Sequence, residues 1–317
     1  MTEAWRPDGD DDRLRPVAGP VRVRVPAKIN LHLGVGPLRD DGYHELTTVY
    51  HAIGLYDEIT ARRGDTLTLT MAGEGAGELA LDDSNLIVRA VRALGAYAKI
   101  PPLAKLHLRK SIPIAAGMAG GSADAAAALV ACDALWGTGL AREDLAEIAV
   151  GLGSDVPFLV YGGTALGTGR GEIVNPVLVR PTLWHWVVAV ADGGLATPAV
   201  FRELDRLREQ GAAPPPLAST DPLLAALRQR DPQVLADALG NDLAPAAISL
   251  RPALADTLAA GEEAGALAGM VSGSGPTCVF LARNAEMASA VARSLEDSGT
   301  CRYALAVSGP VAGARVL

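Results

Sequence analysis

One stretch constrains this chain more than any other. It is Lys110-Ser-Ile-Pro-Ile-Ala-Ala-Gly-Met-Ala-Gly-Gly-Ser-Ala-Asp124, which runs without a break into Ala-Ala-Ala-Ala-Leu-Val-Ala-Cys-Asp-Ala-Leu-Trp136. A short extended segment meets Gly117, Gly120, Gly121 and a serine, and then an uninterrupted run of strong helix formers. Glycines lift the Cβ restriction on backbone angles and let a ligand approach the main chain. The first turn of the helix that follows carries unpaired N–H groups and the positive end of its dipole. Together these make an anion site, and phosphate is its usual occupant. No Gly-Lys-Ser or Gly-Lys-Thr closes the loop, and its glycines do not fall in the G-x-G-x-x-G order of a dinucleotide fold. The plainer alternative is a glycine turn capping a buried alanine helix, with Ser122 near the N-cap.

A chain of 317 residues is long enough for two ordinary domains or one large one. Hydrophobic content of 49% points to a well-buried globular protein. The net charge of −8 leaves no basic footprint for nucleic acid. No uncharged apolar run reaches the roughly 18 residues of a membrane span. Met1 to Pro20 is acidic, contains proline and lacks an apolar signal core, so it reads as a disordered tail. Cys132, Cys278 and Cys301 are odd in number and lack metal-ligand spacing. The first two sit in apolar runs where a reduced thiol is expected, which points to the cytoplasm. Of 28 basic residues only Lys28, Lys99, Lys105 and Lys110 are lysines. An ammonium and a guanidinium are not interchangeable at a tight site, so Lys28 and Lys110 stand out as chemically chosen.

Taken in order, Val21 to Val25 alternates and reads as a strand, continued by Pro26 to Val35 after a proline that fits a strand start or bulge. This puts Lys28, Asn30 and His32 on one face, which is either solvated or lines a cleft. Asp40-Asp-Gly42 is a turn signal, with Tyr43 and His44 directly behind it. The pair is either a loop residue beside a solvated imidazole, or an aromatic and an imidazole able to stack on and hydrogen-bond a flat heterocycle. Strands are predicted over 49–61, 67–71 and 103–110, and a helix over 84–94 capped by Ser84. Helix 142–151 leads to Asp155, predicted to stand before a hydrophobic strand. Its carboxylate is either a turn or N-cap group, or a fixed proton acceptor. Gly162 to Glu172 is a second, weaker glycine turn. The remainder reads as strand 183–190, a helix entered through Pro198, helices 223–228, 232–239 and 249–263, a glycine loop and strand over 269–281, helix 284–298 and a final strand 302–307. That is an α+β layer with helices on one sheet face.

Three segments carry a resemblance: Pro26-Ala-Lys-Ile-Asn-Leu31, Ile112-Pro-x-x-x-Gly-x-x-Gly-Gly-Ser122 and Ser272-Gly-Ser-Gly-Pro276. In this order and spacing they resemble the GHMP kinases over residues 21–310. Asp41-Gly-Tyr-His-Glu-Leu46 and Gly153-Ser-Asp-Val-Pro-Phe158 are similar to the branch that phosphorylates 4-diphosphocytidyl-2-C-methyl-D-erythritol in the non-mevalonate isoprenoid pathway. The resemblance implies a ribosomal-protein-S5-like N-terminal domain (21–180), a ferredoxin-like C-terminal domain (181–317) and a site in the cleft between them. It implies ATP and Mg²⁺, transfer of the γ-phosphoryl group to a small alcohol carrying cytidine diphosphate, no nucleic-acid or membrane partner, and a monomer or homodimer.

Residue by residue, Asp155 matches the family's base and Lys28 the lysine that orients it. Lys110 and the loop of Pro113, Ile114, Ala115, Ala116, Gly117, Met118, Ala119, Gly120, Gly121, Ser122 and Ala123 match the ATP-binding segment. Asn30 fits substrate positioning. Tyr43 and His44 match a cytosine clamp whose second wall, after Thr197, is Phe201. The Mg²⁺ ligands are open, with Ser122 and Asp124 candidates by position alone. The chain departs from the family at Ala119, where glycine is common, and at Ala123, where serine is. The methyl at Ala119 narrows the allowed backbone.

Overall fold

The computed structural model describes residues 19–179 and 182–317, so nearly all of the tail expected over Met1 to Pro20 lies outside the described residues. The architecture follows from one very long antiparallel pair, β1 (Val21–Leu38) and β2 (His44–Arg62). Both are rich in apolar and β-branched residues, and they are buried over most of their length. β4 (Lys105–Lys110) adds to β2, and β3 (Thr68–Gly73) runs parallel to β4 at the edge. Register shifts at Pro26/Ala27 and Asn30/His32 interrupt the β1–β2 ladder, the first at the predicted proline irregularity. A bulge re-aims the side chains that follow it. The second shift breaks the expected face of Lys28, Asn30 and His32: Leu33 lines the cavity described below, and His32 is buried away from it.

Against this sheet lies α2 (Gly120–Trp136), the alanine helix. It is apolar all round and buried on most of its circumference, between the sheet, α1 (Leu86–Ala98), α3 (Arg142–Val150) and α4 (Val156–Tyr161). Alanine lets neighbours approach closely, while Ile87, Val91 and Leu94 of α1 fill the space on one side. Each such buried aliphatic contributes about 1.5–3 kcal/mol.

The second sheet is antiparallel, in the order β11 (Tyr303–Gly309), β7 (Trp184–Val190), β10 (Cys278–Ala282), β9 (Ala268–Val271). Helices α5 (Thr197–Glu209), α6 (Asp221–Gln229), α7 (Pro232–Asp237), α8 (Ala244–Leu250), α9 (Ala253–Glu263) and α10 (Ala285–Ser298) complete this half. The halves are stitched together by two short strands that join the first sheet. β8 (Gly240–Asn241) runs parallel to β1, and β12 (Arg315–Val316) pairs antiparallel with it. His51 of β2 meets Trp186 of β7 edge-on at 5.7 Å across the seam.

Five expectations are corrected. Asn85, not Ser84, caps α1, its side chain accepting from Ile87 N at 2.9 Å. Residues 156–161 are the helix α4 rather than a strand: Pro157 sits in the first turn, where a missing N–H is harmless, and outweighs the run's strand propensity. The second glycine turn is the bend of a hairpin, β5 (Thr164–Thr168) and β6 (Ile173–Pro176), which extends the first sheet from β2. The helix predicted over 249–263 is two helices broken at Arg251, because Pro252 cannot donate to the preceding turn. Finally, β11 is followed by β12.

Candidate active site

β1 delivers Lys28 and Asn30 to a cavity of about 870 Å³ between the two sheets. Lys28 is buried, and its ammonium donates to Asn30 Oδ1 at 2.8 Å and to Gly117 O at 3.3 Å. Asn30 is fixed in turn, donating from Nδ2 to Thr48 Oγ1 at 2.8 Å, while Thr48 donates to His32 O at 2.7 Å. This relay leaves the Asn30 oxygen aimed at the ammonium. Asp155 Oδ2 stands 3.9 Å from Lys28 Nζ. Asp155 holds the N-cap position of α4 but makes no capping hydrogen bond, so its carboxylate remains available to the cavity that it lines. Its side chain therefore does not serve as the cap. Tyr50 lies beneath the pair, with Lys28 Nζ 5.8 Å from its ring centroid. Burial, reinforced by the charge of Asp155, pushes the Tyr50 phenol well above its ordinary pKa, so it stays a proton donor.

The glycine loop forms the next wall. Ala119 is the N-cap of α2 in a left-handed conformation (φ 56°), with no side-chain cap, and Ser122 lies inside the first turn rather than at the cap. The helix therefore opens onto the cavity with Gly120, Gly121 and Ser122 lining it. Gly117 is dictated by a close approach: a Cβ there would lie 2.0 Å from Ser272 O. Ser272 Oγ donates to Gly117 O at 3.2 Å, tying this loop to the one between β9 and β10.

At the other end, His44 opens β2 and stacks on Phe201 of α5, with centroids 5.1 Å apart and an interplanar angle of 27°. His44 Nε2 pairs with Asp205 Oδ1 at 2.9 Å. Tyr43, 55% exposed, carries the Arg170 guanidinium 5.0 Å from its ring centroid. Thr197 Oγ1 meets Ser274 Oγ at 2.9 Å at the start of α5.

Among the predicted residues, Lys28, Asn30, Tyr43, His44, Ala115, Ala116, Gly117, Ala119, Gly120, Gly121, Ser122, Asp155, Thr197 and Phe201 line this one cavity. Pro113, Ile114, Met118 and Ala123 do not line it; Met118 and Ala123 are fully buried supports beneath the loop. Lys110 is also turned inward, its ammonium held by Asp57 Oδ2 at 2.6 Å and Asp124 Oδ2 at 2.7 Å. Asp124 is thereby removed from the metal candidates.

Five residues at or beneath this site escaped sequence reasoning: Tyr50, Asp57, Arg170, Asp205 and Thr48. Signals existed for two of them. Asp57 is an acid inside an apolar strand pattern, which demands a partner. Asp205 follows Phe201 by four residues on a helix and so shares its face.

The model for the GHMP kinases N terminal domain matches residues 85–163, and that for the GHMP kinases C terminal region matches residues 223–301. A 4-diphosphocytidyl-2-C-methyl-D-erythritol kinase of Salinispora arenicola is 75% identical over 100% of both chains. The chain belongs to the GHMP kinase family, in the 4-diphosphocytidyl-2-C-methyl-D-erythritol kinase branch. A crystal structure of 4-(cytidine 5'-diphospho)-2C-methyl-D-erythritol kinase superimposes with a TM-score of 0.73 at 31% identity, covering 90% of this chain and 98% of that one. A homoserine kinase from Cytophaga hutchinsonii reaches the same TM-score, 0.73, at 19% identity over 96% and 99% of the chains. Kinases named for different alcohols thus share the fold, and the cavity's side chains must choose the alcohol.

Proposed function

We propose that this chain transfers the γ-phosphoryl group of Mg-ATP to the 2-hydroxyl of 4-diphosphocytidyl-2-C-methyl-D-erythritol. The observation that carries the reading is the single cavity in which an uncapped helix N-terminus, the Lys28–Asp155 pair and the His44–Phe201 stack face one another. Phosphoryl transfer depends on positioning and charge neutralisation more than on covalent chemistry by the protein. The free N–H groups of the first turn of α2 receive the phosphates. Asp155 takes the hydroxyl proton as the alcohol oxygen attacks the γ-phosphorus; the bond to the β,γ-bridging oxygen breaks, and ADP leaves with that electron pair. Lys28, opposite Asp155, stabilises charge developing on the alkoxide. Its fixed bonds to Asn30 and Gly117 hold it in place.

Among the described residues there is no cluster of three or more acidic, His or Cys ligands for a metal. This fits Mg²⁺, which keeps several waters and binds through phosphates with one or two protein oxygens. Ser122 would be the protein residue to hold it, and the ion would neutralise phosphate charge. At the far end, Tyr43 and His44 clamp the cytosine with Phe201, which stacks on His44, as the second aromatic wall. Neither homoserine nor mevalonate carries a base to use these groups.

Two domains, 21–180 and 181–317, share the site, and one family match falls in each. The enzyme works in the cytoplasm: its three cysteines are unpaired, and burial pushes Cys132 and Cys278 up to about 12, which suits inert, reduced thiols. Among the described residues no helix is long and apolar enough to cross a membrane.

The test is ADP release from the purified protein with Mg-ATP, offering the diphosphocytidyl substrate beside homoserine and mevalonate. Turnover confined to the cytidyl substrate is expected. Turnover on either other alcohol would refute the substrate assignment, and none at all with ATP still bound would refute catalysis.

A further inference from the structure

Beneath the glycine loop lies a buried ion cluster that the chemistry above does not use. Lys110, Asp57 and Asp124 have side chains 1%, 0% and 4% exposed. The two carboxylates are not equivalent. Asp57 Oδ2 accepts from Lys110 Nζ, and its Oδ1 accepts from the backbone N–H of Ser111 at 2.6 Å and of Ile112 at 2.8 Å. Both of its oxygens are thus occupied by donors. Asp124 accepts one bond, from Lys110, through Oδ2; its Oδ1 is buried without a hydrogen-bond partner among the described residues. The ammonium lies directly under the first turn of α2, since a Cβ built on Gly120 would come within 3.1 Å of Lys110 Nζ.

We propose that Asp57 is the positioning residue of the phosphate loop, acting through Lys110 and the Ser111 and Ile112 amides. The inference rests on the reading of the glycine loop as the nucleotide site. Asp57 serves three donors, the Lys110 ammonium and the two amides, whereas Asp124 serves the ammonium alone. Asp57 thus fixes where the chain leaves β4 and enters the loop, while Lys110 carries that constraint to the first turn of α2.

The test titrates the Mg²⁺ complex of a non-hydrolysable ATP analogue into the full chain by calorimetry, with KM for the alcohol measured in parallel. Asp57→Asn turns an amide N–H₂ toward either the ammonium or the two amide donors. It is expected to weaken nucleotide binding about tenfold while changing KM for the alcohol less than twofold, a split that general loosening of the fold would not give. Asp124→Asn keeps an acceptor for Lys110, the one bond that Asp124 makes, and is expected to change nucleotide binding less than twofold. Equal losses in the two variants, or an unchanged nucleotide affinity in Asp57→Asn, would overturn the proposal. If Asp57→Asn does not fold, the Asp124→Asn arm decides, a tenfold loss there being fatal. A wild-type chain that fails to bind the analogue would instead sink the nucleotide-site reading itself.

Discussion

The two buried lysines make an instructive pair. Lys28 and Lys110 are 5% and 3% exposed, so burial does not tell them apart. Their partners do. Lys110 is gripped by two carboxylates at 2.6 and 2.7 Å inside the protein, and its charge is spent on holding three chain segments together. Lys28 meets its one carboxylate, Asp155, at 3.9 Å, and its direct hydrogen bonds go to neutral oxygens of Asn30 and Gly117. It faces a cavity, with Asp155 partly exposed beside it. A buried charge whose partners are all protein groups is architecture; one that keeps a loose partner at a cavity wall has charge to offer a reacting group.

The largest break in this comparison comes from the cavity side. Lys28→Met and Asp155→Asn are each expected to lower kcat by about 10²–10⁴-fold, as loss of a positioned proton-transfer or charge-stabilising group does. For Asp155→Asn the urea midpoint should stay close to wild type, because that carboxylate is partly exposed and its ion pair is loose. A variant that keeps kcat would remove the residue from the chemistry. On the other side, Lys110→Met strands two carboxylates in the interior and is expected to lose about 3–5 kcal/mol of stability in urea unfolding. A loss below about 1 kcal/mol would mean the cluster holds nothing together.

A third buried titratable group sharpens the contrast. His51 sits at the seam between the sheets, its Nδ1 2.8 Å from Thr164 Oγ1, and burial drives its pKa down from 6.5 to about 3. Between those values the unfolded chain binds a proton that the folded one refuses. The stabilising contribution is therefore intact above about pH 6.5 and falls away as the pH drops toward about 3. At pH 5 the expected loss is about 2 kcal/mol, read as a lower urea midpoint than at neutral pH. His51→Gln should flatten that slope, and an unchanged slope would discount His51 as its source.

The smallest effect belongs to Ala119. A left-handed alanine is disfavoured by about 1–2 kcal/mol, and glycine's extra chain entropy offsets about half of that. Ala119→Gly should accordingly raise the free energy of unfolding in urea by about 0.5–1 kcal/mol, and a decrease would show that the methyl contributes packing.

Much of the site was legible in the chain because its parts are local. The glycine loop and helix, the turn before Tyr43 and His44, and the α5 entry through Thr197 and Pro198 are each set by a few consecutive residues, and each appears where its pattern predicts. Where prediction failed, one local breaker or bulge outweighed the pattern of the run around it. Val156 to Val160 has strand-forming side chains, yet with Pro157 in its first turn it folds as a helix packed against α2 and α3. His32 follows the strand's alternation on paper, but one bulge turns it away from the cavity.

By itself the sequence determined the residue types at each loop, the helix that opens on the cavity and the family to which the chain belongs. Tertiary structure alone decided that Lys110 faces inward, because Asp57 is 53 residues away and becomes its partner only when β2 and β4 pair. It alone brought Asp205 to His44 across 161 residues and set Asp155 opposite Lys28 without a cap to hold it. Spacing in a chain encodes backbone geometry over a turn or two; which charge is neutralised and which is left to react depends on groups that meet only through packing.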